Sequence, residues 1–127
     1  MKSYQPLLLE SEWKKPDLTA SDLTAYALEM FRLWKYRMRR VHNVGAYKKR
    51  MNQVESGWPD IQGYSPKALV TLCEVKKKGD RFTQKQFDRL EDCDKCGGES
   101  WVCVDINGTA ELLKFRDYKS NIKSIKK

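Results

Sequence analysis

Apolar positions change period several times along the chain, and each change marks an element. Leu23, Ala27, Met30 and Trp34 recur at spacings of four, three and four, which predicts an amphipathic helix over 21–35 with those residues buried. Thr19, with Asp22 three residues on, supplies a capping box at its start. Residues 36–44 read as a short, heavily charged strand near a sheet edge or on a ligand-facing surface, and 46–57 as a polar, basic loop. Two strand candidates, 60–64 and 69–75, are joined by Ser65-Pro66-Lys67, a proline link that favours an antiparallel hairpin. Residues 83–96 form a second helix with Phe87, Leu90 and Cys93 on one stripe, stopped by Gly97-Gly98. A buried strand over 100–106 precedes the tight-turn pair Asn107-Gly108. Residues 110–118 suit a returning strand or a short helix.

The resulting order predicts an α/β fold in which helices flank a small central mixed β-sheet. Residues 21–118 hold this domain. Residues 1–20, where Leu7-Leu8-Leu9 lies between Pro6 and Pro16, read as an N-terminal arm that packs on the domain or on a partner subunit. Residues 119–127 read as a basic tail.

With 127 residues, the chain suits one domain with one core. Its apolar runs fall short of the ~20 residues a membrane-spanning helix needs, and Met1-Lys2-Ser3-Tyr4 opens no secretory signal. The expectation is a cytoplasmic protein with no membrane partner. Charge sharpens the picture: Lys and Arg number 25 against 17 acids, a net +8, which favours polyanions such as nucleic acid. The basic residues Arg32, Lys35, Arg37, Arg39, Arg40, Lys48, Lys49 and Arg50 follow one another with no acid between them, and Trp34, Tyr36 and Tyr47 are interleaved. A second basic stretch covers 114–127, so two backbone contacts are expected. Cys93 and Cys96 have a metal-ligand spacing, with Cys73 and Cys103 as single partners inside apolar runs. Zinc binding and plain burial as small core residues are both open.

The stretch ALVTLCEVKKKGD ends an apolar strand with charges. Alternate side chains share a face, so Glu74 and Lys76 point one way while Cys73 and Val75 point the other. Hairpin pairing carries Asp60 close to Glu74. Paired carboxylates need a cation between them, and hard oxygen ligands suit Mg²⁺ or Mn²⁺ beside a phosphate. Glu-x-Lys by itself also suits a salt bridge at a strand end. Lys77 and Lys78 alternate faces, which leaves at most one beside Lys76.

The wider pattern, GWPDIQGY followed by LCEVKKKGDRFTQKQFDRLEDCDKCGGESWVCVD, resembles the VRR-NUC family of the PD-(D/E)XK nuclease superfamily, including its small stand-alone phage members. The resemblance covers residues 21–104. It implies a restriction-endonuclease-like core with Asp60 and Glu74 as metal ligands, the Val75 carbonyl as a further ligand and Lys76 as catalytic lysine. Gln86 falls where the family places a helix glutamine, and it also fits a capping box with Thr83. The family's first-helix acid matches Asp22 or Glu29. Asp22 has a capping role available, so Glu29 is preferred. His42 and Asn43 resemble part of the family's basic segment. With Arg37, Arg39, Arg40, Lys48, Lys49, Arg50, Lys77 and Lys78 they are candidate DNA contacts.

These features predict a Mg²⁺- or Mn²⁺-dependent endonuclease without an organic cofactor. Its expected substrate is branched DNA such as four-way (Holliday) junctions, cut as a homodimer. The alternatives are a flap- or duplex-directed nuclease and a non-catalytic DNA-binding accessory protein.

Overall fold

The computed structural model describes residues 16–41, 58–122 and 125–126. Helix α1 (Ala20–Leu33) starts as expected: Thr19 Oγ1 accepts from the Asp22 N–H, and the Asp22 carboxylate accepts from the Thr19 N–H. Its buried stripe differs from the predicted one. Leu23, Ala27 and Phe31 are fully buried, whereas Met30 is half-buried and Trp34 exposed. A spacing of four, four wins because the Phe31 ring packs against Tyr36 and Trp101, with centroids 5.1 and 5.6 Å away.

Strand β1 (Arg37–Arg40) pairs antiparallel with β2 (Ile61–Tyr64), which forms the expected antiparallel hairpin with β3 (Val70–Lys76). After the short β4 (Phe82–Thr83), α2 (Gln84–Lys95) crosses back over the sheet to β5 (Glu99–Ile106), parallel to β3. Residues 109–118 are both things the sequence allowed. Strand β6 (Thr109–Lys114) returns antiparallel to β5, and the short α3 (Phe115–Tyr118) follows. The central sheet order is β1-β2-β3-β5-β6. Residues 119–121 form a 3₁₀ turn, and β7 (Ile125–Lys126) pairs with β4, so part of the basic tail belongs to the fold.

Side-chain alternation gives the sheet two unlike faces. On one, α1 covers Ile61, Cys73, Trp101 and Cys103, with Val75 packed alongside. On the other, Leu90 of α2 and Phe115 of α3 pack on Leu72, Val102 and Val104. This second cover stops at β3. Register places Arg37, Arg39, Gln62 and Tyr64 on the same face as Leu72 and Val70, and Tyr64 and Val70 there are exposed.

All four cysteines are free. Cys73 and Cys103 belong to the α1-side core, whereas Cys93 packs against the α2-side core. Among the described residues no group of three or more His, Cys, Asp or Glu forms a metal cluster. Cys73 and Cys103 are thus placed as the burial alternative has them. No helix among the described residues is long and apolar enough to cross a membrane.

Candidate active site

The site forms where β3 leaves the shelter of α2. Period-two alternation puts Glu74 and Lys76 on the α2 face, opposite Cys73 and Val75. The β2–β3 register ends with Ile61 opposite Cys73, and one step further sets Asp60 opposite Glu74. The Val41 N–H donates to the Asp60 carbonyl at 2.6 Å, which holds this residue against β1. Pro59, fully buried just before it, anchors the approach.

Glu74 is only 7 % exposed, and its Oε1 has no hydrogen-bond partner among the described residues. A buried, unsatisfied carboxylate oxygen is costly. Burial is the main force that pushes the Glu74 pKa up to about 7, against the attraction of Lys76 and with help from the neighbouring charges of Asp60 and Asp80.

Lys76 is held in place by several partners. Its Nζ donates to Gln86 Oε1 at 2.7 Å and to the Arg81 carbonyl at 3.1 Å, lies 3.5 Å from Glu74 Oε2, and sits 5.0 Å from the Phe82 ring centroid. Gln86 takes the cap the sequence offered and also contacts Lys76. Its Oε1 caps α2 by accepting from the Thr83 N–H at 2.9 Å, and the same atom accepts from Lys76. Thr83 Oγ1 returns the cap to the Gln86 N–H at 3.1 Å. The start of α2 thus fixes the lysine.

The structure does not bring Glu29 to this cluster. Its carboxylate is exposed and engaged by Arg32, which holds its pKa below the ordinary value. Helix α1 also packs on the opposite face of the sheet from Glu74. Asp22 lies on the same helix and serves as its cap.

Candidate DNA contacts divide similarly. Arg37 and Arg39 share the site's face, but Arg40 pairs with Ile61 and so belongs to the α1 face. Lys77 and Lys78 have left the strand. They sit in a turn closed by the Asp80 N–H on the Lys77 carbonyl, with Gly79 at φ +91°, and Lys78 lies 3.7 Å from Asp17. His42, Asn43, Lys48, Lys49 and Arg50 lie outside the described residues.

Sequence reading missed Asp80, the Arg81 carbonyl and Phe82. Gly79-Asp80 was visible as a turn signal, but its return beside Lys76 is a tertiary fact. It also missed the stacking of Arg89 on Trp58, with the guanidinium 4.5 Å from the ring centroid.

The VRR-NUC domain model matches residues 11–104. No curated protein matches the chain. The match spans most of the sequence, and the five-stranded mixed sheet between helices is consistent with a restriction-endonuclease-like fold. The chain belongs to the VRR-NUC family of nucleases, and DNA is the substrate class this implies.

Proposed function

We propose that this VRR-NUC domain is a Mg²⁺- or Mn²⁺-dependent endonuclease that cuts branched DNA, four-way junctions above all, as a homodimer. The observation that carries the metal assignment is the buried Glu74 Oε1, without a hydrogen-bond partner among the described residues, on a carboxylate that feels the charge of Asp60. Asp60, Glu74 and the Val75 carbonyl would hold the ion. Two carboxylates and a carbonyl form an all-oxygen donor set that suits a small hard cation, with water and phosphate completing the shell. When bound, such an ion polarises the phosphate and lowers the pKa of a coordinated water.

The chain's own residues do the rest. Lys76, locked by Gln86, the Arg81 carbonyl and Glu74, presents a fixed positive charge to the phosphate oxygen on which negative charge develops. Its fixed geometry avoids the cost of ordering a flexible side chain during the reaction. Gln86 is a positioning residue. Arg37 and Arg39 lie on the same face and would contact the backbone by charge and shape rather than sequence.

With one such site among the described residues, a symmetric pair is needed to nick two strands of a junction. A cleavage panel with Mg²⁺ or Mn²⁺, comparing four-way junction, flap, single strand and linear duplex, tests the substrate. Sedimentation at micromolar concentration tests the dimer. A monomer that cuts linear duplex as fast as junctions overturns the junction reading and favours a duplex-directed nuclease. Binding without cleavage in either metal favours the accessory-protein reading.

A further inference from the structure

Between α2 and the β2–β3 hairpin lies a cavity of about 450 Å³. This volume is within the roughly 300–1,000 Å³ typical of small-molecule sites. Leu69, Val70 and Leu72 of the β2–β3 hairpin line one side, and Arg89, Cys93 and Gly98 the other, with Trp58 also in the lining. Gly98 makes the close wall possible: a Cβ there would meet the Val70 carbonyl at 2.6 Å and Cys93 Sγ at 2.7 Å. Trp58, Tyr64, Leu69 and Val70 are 44, 52, 38 and 61 % exposed. They account for half of the exposed large hydrophobic residues described, gathered on or beside one face. Burial of this much apolar surface by the chain itself would be favourable, so its exposure calls for an occupant.

We infer that this cavity receives one unstacked nucleobase of the strand whose phosphate lies at Asp60 and Glu74. The inference rests on the nuclease reading of that pair and adds what the neighbouring nucleotide does. Trp58 precedes Asp60 by two residues, and Leu72 precedes Glu74 by two on the same face. Two residues of strand span about 7 Å, a distance comparable to one nucleotide of an extended strand. Leu72 therefore sets one edge of the cavity about 7 Å along β3 from Glu74.

Nucleic acid is favoured over a protein segment because the cavity edge lies on the same sheet face as Glu74, where Arg37 and Arg39 are also carried on β1. Among its lining, Arg89 stands 4.5 Å from the Trp58 ring centroid, and Asp92 lies further along α2. Aromatic rings accept any base by stacking, while the apolar walls of Leu69 and Val70 exclude a phosphate. A base can reach these walls face-on only when it has left its stack. The substrate therefore carries an unpaired or easily unstacked nucleotide beside the cut, as a branch point provides.

The test uses a flap and a four-way junction with 2-aminopurine placed singly at each position around the branch. Binding is read by its fluorescence in EDTA, and cleavage is read with Mn²⁺ on matched substrates abasic at the same positions. The expected result is a fluorescence change confined to one position. Loss of the base there lowers kcat/KM about ten-fold, the size of one base–aromatic stack. Trp58→Ala removes the distinction between intact and abasic DNA. Val70→Trp, at an exposed strand position that tolerates a larger ring, fills the cavity and makes the intact substrate behave like the abasic one.

A fluorescence change spread equally over all positions, or equal wild-type cleavage of intact and abasic DNA, overturns the pocket. A localised change in EDTA with no cleavage in Mn²⁺ overturns the nuclease reading while supporting the pocket, so the two fail separately.

Discussion

On one face of β3, Cys73 and Val75 lie under α1 in a core with Phe31, Trp101 and Cys103. On the other, two atoms of backbone away in each case, Glu74 and Lys76 sit where the α2 cover ends, and one carboxylate oxygen has no partner among the described residues. The first face maximises packing, the ordinary source of stability. The second accepts a desolvated acid that packing alone would not select. One strand thus separates the work: its α1 side holds the fold, and its α2 side holds the groups proposed to meet a cation and a phosphate.

The sharpest break between the faces comes from exchanging their residues. Asp60→Ala is expected to lower cleavage about 10³-fold or more with thermal unfolding little changed, and Lys76→Ala to lower it as much while also costing stability, because Glu74 loses its charge partner. Phe31→Ala should do the reverse. It is expected to cost about 3–5 kcal/mol, measured by denaturant unfolding, while the fraction still folded retains its kcat. Loss of activity without stability change at Phe31 would show that the faces are not separable in this way.

Next in size is the pH response of Glu74. Its folded pKa of about 7 lies above the ordinary 4.5, so between those values the folded state binds more protons than the unfolded one. Stability in EDTA therefore falls as pH rises from about 4.5 through 7, by up to roughly 3 kcal/mol. Glu74→Gln should flatten that slope and stabilise the metal-free protein at pH 8, although it abolishes cleavage. Melting curves across pH, with and without Mg²⁺, check this. An identical slope in wild type and variant would remove the strain assigned to this carboxylate.

Gln86 and Thr83 separate capping from positioning. Thr83→Ala is expected to cost about 1 kcal/mol of stability with little change in kcat. Gln86→Ala should cost a similar amount and also slow cleavage about ten-fold, the order of one lost charge-assisted hydrogen bond. The smallest expected effect is at Glu29. Glu29→Gln should leave activity within about two-fold and remove only a solvent-screened surface ion pair with Arg32. A large loss there would restore a role for the first helix's acid.

The parts legible in the sequence were those set by local period and local chemistry. Both capping boxes, the hairpin around Pro66 and the shared face of Glu74 and Lys76 depend on residues a few positions apart. The helix phase of α1 was not legible, because Phe31 outcompetes Met30 only when Tyr36 and Trp101 close around it. The place of Glu29 was not legible, because helical phase does not reveal which face of the sheet a helix will cover. Arg40 diverged from Arg37 and Arg39 for a related reason: alternation across β1 sends neighbouring cations to opposite sides. Asp80 and Phe82 joined the site only through the turn that folds back after Gly79.

The most direct test measures cleavage of a four-way junction by wild-type protein and by Lys76→Ala, each with Mg²⁺ and with EDTA, with junction binding measured in parallel. The account predicts cleavage only by the wild type in Mg²⁺, with binding retained by both proteins. Undiminished cleavage by Lys76→Ala, or equal cleavage in EDTA, would contradict it.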